Sequence, residues 1–149
     1  MVQLLDYCVT NPNAMTRYHA SDMCLHVHSN ASYLSESEAR SRAGSFFYLS
    51  NQQKDPNVTP CAESDLPPLN GSILVLSSII KSVLSSVSEA ELGALFYNSK
   101  EAAPLCIALE EFGNPQPTTP IQTDTITASG ISNDTVEQRR SKSIDMRFH

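Results

Sequence analysis

Four positions hold residue types that metal-dependent chemistry uses: Asn30 at the end of an expected strand, Glu91 in the first turns of a helix, Asp124 at the end of another strand and Asp145 in the basic tail. Acidic residues at strand ends and at the start of a helix can converge on one edge of a sheet. Hard divalent cations need such a cluster, because Mg²⁺ takes oxygen ligands. Two ions about 4 Å apart can then activate water and stabilise the leaving oxygen of a phosphodiester. Spacing alone does not assign that chemistry. Ser86 with Glu89, and Ser88 with Glu91, both have the spacing of a capping box. If Ser88 is the cap, Glu91 is a capping acid; if Ser86 is the cap, Glu89 takes that role and Glu91 is free. Asp124 could cap the helix that follows it, and Asp145 could be a solvated surface acid. His26 and His28 share a strand face and could bind a metal, although such a pair more often packs or faces solvent. Arg139, Arg140 and Lys142 form either a solvated face or a phosphate contact.

The elements that must position these residues follow from periodicity. Residues 1–20 read as the end of a helix leading into a loop at Asn11-Pro12-Asn13. Met23, Leu25 and Val27 alternate with period two, which predicts a strand with His26 and His28 on its other face. A polar turn over 34–44 separates it from a second strand, Ser45 to Leu49, rich in aromatic residues. Four prolines make 51–70 a loop, and Asn70-Gly71 is a hairpin-type turn signal. Ile73 to Leu76, then Ile79-Ile80, predict a third strand or a strand pair. The longest helix runs from about Ser86 to Phe112, with Leu92, Leu95, Phe96, Leu105 and Leu109 near helical spacing. Pro104 is expected to kink or split it, and Gly113 to end it. A short strand, Ile121 to Thr123, closes on Asp124, and a short helix follows through Ala128 and Ile131. Strand, strand, strand, helix, strand, helix predicts an α/β or α+β fold. An antiparallel opening meander is followed by a parallel strand reached through a helix.

Composition narrows the partners. The net charge of −6 argues against autonomous tight binding to nucleic acid, which draws on a Lys and Arg surplus, but leaves room for a metal-dependent nuclease. Cys8, Cys24, Cys61 and Cys106 are far apart, which disfavours zinc and reads as buried, reduced thiols of an intracellular protein. No secretory leader and no membrane-length apolar run is visible, so the sequons at Asn30, Asn57, Asn70 and Asn133 read as chance matches. At 149 residues the chain fits one domain.

Five segments, HVHSNASYLSE, SRAGSFFYLS, SSVSEAELGALF, IQTDTITASGI and RRSKSIDMRF, resemble the ribonuclease H region that follows the reverse transcriptase in copia-type retrotransposon polyproteins. In that family the first motif is near S-D-A-x-Y, the second S-S-x-x-E-A-E, the third ends a strand with D-N, and the fourth is R-(x)-K-x-I-D. The resemblance spans about residues 2–149, and its second and fourth motifs are the most specific. It implies a ribonuclease H-like mixed sheet with flanking helices that hydrolyses the RNA strand of an RNA-DNA hybrid with two Mg²⁺ ions. Glu91, Asp124 and Asp145 match the acidic, metal-binding positions. The implied partners are the hybrid and the reverse transcriptase region of the same polyprotein, in the cytoplasm, within a virus-like particle, or in the nucleus.

The chain departs from that pattern at two positions. Asn30 replaces the first acid, which contacts both metals in such folds, and Thr125 replaces the usual Asn after the third. The expectation is a degenerate, inactive domain over 21–149, truncated before the family's further helix. Residues 1–20 are read as a remnant of the connection from the polymerase. The rival readings are a non-catalytic nucleic-acid-binding or assembly module, and a decayed fragment without function.

Overall fold

The computed structural model describes residues 2–53 and 67–133. In chain order these form α1 (Val2–Thr10), β1 (Cys24–Glu36), a short 3-10 turn (Ser37–Ala39), β2 (Arg40–Ser50), β3 (Ser72–Ile80), α2 (Val87–Glu111), β4 (Ile121–Gln122) and α3 (Ile126–Ser132). The four strands make one mixed sheet in the order β3-β2-β1-β4. β1 and β3 run antiparallel to β2, and β4 runs parallel to β1 with Val27 opposite Ile121. The antiparallel meander and the parallel strand reached through a helix are as expected. Among the described residues, no helix is long and apolar enough to cross a membrane.

The strands are longer than the apolar pattern suggested. Most of the polar stretch expected as a turn is strand, and only Ser37–Ala39 turns the chain, with Glu38 at φ 59° and Ala39 at φ 52°. Two polar contacts of Arg42, one local and one to β3, extend the hairpin. Arg42 Nε meets Glu36 Oε1 at 2.6 Å, and Arg42 Nη1 donates to the Ser77 carbonyl on β3 at 3.1 Å. β1 slips register between Ser32 and Glu36, where Leu34 takes φ 51°. Such an extra residue bends and twists a strand. Ile73 to Ile80 is one strand, not a pair.

Asn70-Gly71 does not turn a hairpin. The Asn70 side chain is a bracket: its Nδ2 donates to the carbonyls of His19 and Leu49, and its Oδ1 accepts from the amides of His19 and Gly71. Those four bonds hold the loop before β1 against the sheet. Tyr18 adds a fifth, from its hydroxyl to the Ser72 carbonyl at 2.9 Å. A Cβ on Gly71 would lie 2.8 Å from the Arg17 carbonyl oxygen and 2.6 Å from the Tyr18 ring, so close approach of two backbones requires the glycine.

Pro104 does not split α2, which runs through it without interruption. A proline in a helix interior loses one backbone bond. Burial of Ala102 and Leu109 on either side holds the helix to the sheet across the site. The helix ends in a Schellman motif: Asn114 N–H donates to Leu109 O, Gly113 N–H donates to Glu110 O, and Gly113 has φ 86°. The buried face of α2 is centred on small residues; of the expected positions Leu109 is buried and Leu92, Leu95 and Leu105 are half-buried. Ala90, Glu91, Gly93, Ala94, Asn98, Ala102 and Leu109 are buried, whereas Phe96 is exposed. Small side chains let the helix lie close to the strands.

The core is in two parts. Leu25, Val27, Phe47, Ala102 and Leu109 form one cluster beneath the C-terminal half of α2. Ala43, Ile80, Leu84, Ala90 and Ala94 form the other beneath its N-terminal half. Three buried polar residues, Ser29, Ser45 and Asn98, lie on the facing elements between them. α1 buries nothing comparable: Leu4, Leu5, Tyr7 and Val9 are all exposed. Of the thiols, Cys24 is buried, Cys106 is half-buried and Cys8 is exposed, contrary to the expectation of uniformly buried cysteines. Cys61 lies outside the described residues.

Candidate functional site

Ser86 is the N-cap of α2. Its hydroxyl accepts from Glu89 N–H at 3.2 Å, and Glu89 Oε2 accepts from Ser85 N–H at 2.6 Å. That reciprocal use of Glu89 resolves the sequence ambiguity, because Glu91 is then left without a capping role. Two residues further on, Glu91 points into the sheet and is 3% exposed. One carboxylate oxygen, Oε1, accepts from Ala31 N–H at 3.2 Å. The other, Oε2, is buried without a hydrogen-bond partner. Burial pushes the Glu91 carboxyl above its ordinary pKa; the Ala31 amide bond opposes this and the negative charge of Asp124 adds to it.

Asp124 follows β4, whose two residues pair with Val27 and His28. Pro120 O accepts from Val27 N–H at 3.2 Å and extends that pairing. Asp124 is exposed and precedes the N-cap of α3. Thr125 is the N-cap residue, and its hydroxyl donates to Asp124 Oδ1 at 3.1 Å. Asn30 is exposed on β1, opposite Gly44. Strand alternation sets its side chain on the face of His26 and His28, and the amide that reaches Glu91 belongs to the next residue, Ala31. The structure therefore joins Glu91 to the backbone just past Asn30 and brings Asp124 within electrostatic range of it, but leaves the Asn30 side chain on the opposite face, outside the expected cluster. Asp145, and the basic residues Arg139, Arg140 and Lys142, lie outside the described residues. Among the described residues, no group of three or more His, Cys, Asp or Glu side chains is arranged to hold a metal ion.

The histidine pair is occupied otherwise. His26 Nε2 lies 3.0 Å from the Asn51 carbonyl, an acceptor, so Nε2 carries the proton. Its Nδ1 is buried without a partner. The ring stacks on Tyr48 at 5.5 Å, and His28 Nε2 is 3.1 Å from the Tyr48 hydroxyl. Burial lowers both histidine pKa values and raises that of Tyr48. His26 is thus a buried packing residue, although it sits on the face of the sheet away from α2.

Two polar residues that the sequence reading passed over help build the site. Gln116 completes the edge of β1 ahead of β4: its Oε1 accepts from Leu25 N–H at 2.9 Å, and its Nε2 donates to Met23 O at 3.0 Å. Asn98 is 3% exposed in the middle of α2 and donates from Nδ2 to Ser29 Oγ at 2.9 Å and to Gly44 O at 3.1 Å. The only local signal for Asn98 was a polar residue two helical turns after Glu91.

No family model, curated protein or solved structure matches this chain.

Proposed function

We propose that the chain is a ribonuclease H-like domain, derived from a copia-type retrotransposon polyprotein, whose hybrid-cleaving centre was lost with its first acid. The observation that carries the reading is the setting of Glu91. A helix between β3 and β4 delivers this carboxylate to the backbone just after Asn30, beside the acid that follows the parallel strand β4. That connectivity is the one the five sequence segments imply.

Glu91 and Asp124 are hard oxygen donors, and the partnerless Oε2 of Glu91 suits a cation better than an apolar neighbour. They are the proposed Mg²⁺ ligands, with Asp145 as a third. The ion, when bound, polarises a phosphate and lowers the pKa of water. Asn30 supplies no charge to it, and an amide is a poorer ligand than a carboxylate. Arg139, Arg140 and Lys142 are the proposed phosphate contacts. The net charge of −6 keeps the affinity for an RNA-DNA hybrid low and strongly dependent on salt.

Cleavage of a labelled RNA-DNA hybrid tests the proposal. A loss of about 4 kcal/mol of transition-state stabilisation slows cleavage roughly a thousandfold, so the unmodified chain is expected near background. Asn30→Asp is expected to restore some Mg²⁺-dependent cleavage only where the end of β1 turns position 30 toward Glu91, and Asn30→Asp with Asp124→Asn to abolish it again; with position 30 on the face of His26 and His28, Asn30→Asp stays near background. Robust cleavage by the unmodified chain that survives Asp124→Asn would place the chemistry elsewhere. Uncleaved hybrid that binds with a steep salt dependence would favour the non-catalytic binding module instead.

A further inference from the structure

We infer that Asn98 is a positioning residue for the candidate site: its buried amide fixes the register of α2 against β1 and β2, and with it the point at which Glu91 meets the Ala31 amide. The inference rests on the reading that Glu91 is a functional carboxylate, and adds a residue to which neither the sequence nor that reading assigns a role.

The geometry is a pair of tethers. Asn98 and Glu91 are seven residues, or about two turns, apart, so both face the sheet. Asn98 reaches Ser29 Oγ, and Glu91 reaches Ala31 N, two residues further along β1 on the same face. α2 therefore descends β1 in the opposite direction, pinned at two heights. The second Asn98 bond, to Gly44 O, adds β2 to the same pin.

Packing alone does not set that register. Between the pins the helix presents Gly93 and Ala94, and beyond Asn98 it presents Ala102. Surfaces of such small residues slide over one another at little cost, because no knob fills a particular hole. A buried amide is different. Displacing the helix by one turn, about 5.4 Å, would leave the buried Asn98 donors without partners. Unpaired buried polar groups are costly, and a single buried Asn sets register in other helical assemblies for this reason. Asn98 also sits in the polar strip with Ser29 and Ser45 that separates the two apolar clusters, where neither cluster alone defines the helix position.

The test uses Asn98→Leu, which keeps the number and branching of the side-chain heavy atoms and removes both donors, read by NMR of the whole chain. The Ala31 amide proton reports the bond to Glu91 directly. In Asn98→Leu it is expected to move upfield and to lose about tenfold in exchange protection, which corresponds to about 1.4 kcal/mol, the size of one net hydrogen bond. Mn²⁺ binding, followed by paramagnetic broadening at Ala31 and Asp124, is expected to weaken by roughly the same factor. Leu109→Ala at the far end of α2 serves as the control: it destabilises the chain, yet is expected to leave the Ala31 shift in place. An unmoved Ala31 amide and unchanged Mn²⁺ broadening in Asn98→Leu would overturn the inference, as would an equal Ala31 shift in Leu109→Ala. If the unmodified chain binds no Mn²⁺ while Asn98→Leu still moves Ala31, the positioning role stands and the metal reading falls.

Discussion

The two faces of the sheet are built from the same strands and differ in what lies over them. On the face toward α2, Leu25, Val27 and Phe47 are at most 1% exposed. On the other face the same strands carry His26, His28, Phe46 and Tyr48, then Ile73, Val75 and Ile79 toward the β3 edge. Tyr48 and His26 are buried, yet Val75 is 60% exposed. Both faces carry aromatic and branched aliphatic residues, so residue type does not tell which one is covered. Strand propensity describes fit to a pleated surface and leaves open what packs on it. The outer face is closed at the Tyr48 end and open along β3, where apolar side chains meet water.

Paired truncations test that contrast most strongly. Phe47→Ala is expected to cost about 3–5 kcal/mol in denaturant unfolding, as buried aromatic deletions do. Val75→Ser, on the opposite face of a neighbouring strand, is expected to stay within about 0.5 kcal/mol. A cost for Val75→Ser approaching that for Phe47→Ala would mean that the outer face is covered in solution.

A smaller effect sharpens the contrast from the α2 side. Glu91 is a charge within the covered face, and its carboxyl is raised above the ordinary 4.5, chiefly by burial. The folded chain therefore holds that proton more tightly than the unfolded chain. Glu91 contributes most below pH 4.5, and its contribution is lost as pH rises through the raised folded value. Glu91→Gln keeps an acceptor for Ala31 N–H and removes the buried charge. It is expected to stabilise the chain at neutral pH by about 1 kcal/mol while weakening Mn²⁺ binding. A loss of stability would show that the carboxylate is better solvated than its burial indicates.

The smallest effect is a pH dependence of the opposite sign on the other face. Burial holds His26 below its ordinary 6.5; the bond to Asn51 opposes this, and the neighbouring His28 adds to the lowering. The unfolded chain then takes up the proton first, so stability is complete above pH 6.5 and falls as pH drops toward the folded value. The groups around it are Tyr48, whose hydroxyl is neutral in this range, and His28, whose lowered pKa acts in the same direction. His26→Gln is expected to narrow the difference in denaturation midpoint between roughly pH 7.5 and roughly pH 5.5. An unchanged difference would show that His26 does not titrate across folding.

What the sequence revealed was local. The alternation around Leu25 and Val27 marks β1, Gly113 marks the end of α2, and the run into Asp124 marks β4. Each rests on periodicity or on backbone needs settled within a few residues. What it hid depends on partners far along the chain. Asn70 resembles half of a turn dipeptide until its amide is seen bridging His19 and Leu49. Gln116 is an ordinary loop glutamine until it completes the edge of β1. The leucine pattern of α2 found the flank of the buried face, with Leu109 and Leu105 on one core cluster, but missed its centre, which is made by Ala94, Asn98 and Ala102. The ambiguity between Glu89 and Glu91 needed one fact that periodicity lacks: which serine turns its hydroxyl to the helix.

β4 has a consequence for timing. Asp124 follows a strand of two residues, in which Ile121 packs on the edge of one core cluster, whereas Glu91 belongs to a 25-residue helix seated on both core clusters. Local opening free energies scale with what is uncovered. Opening of β4 is therefore expected to be more frequent than opening of α2, and with it the separation of Asp124 from Glu91; amide exchange faster at Gln122 than at Asn98 would show it.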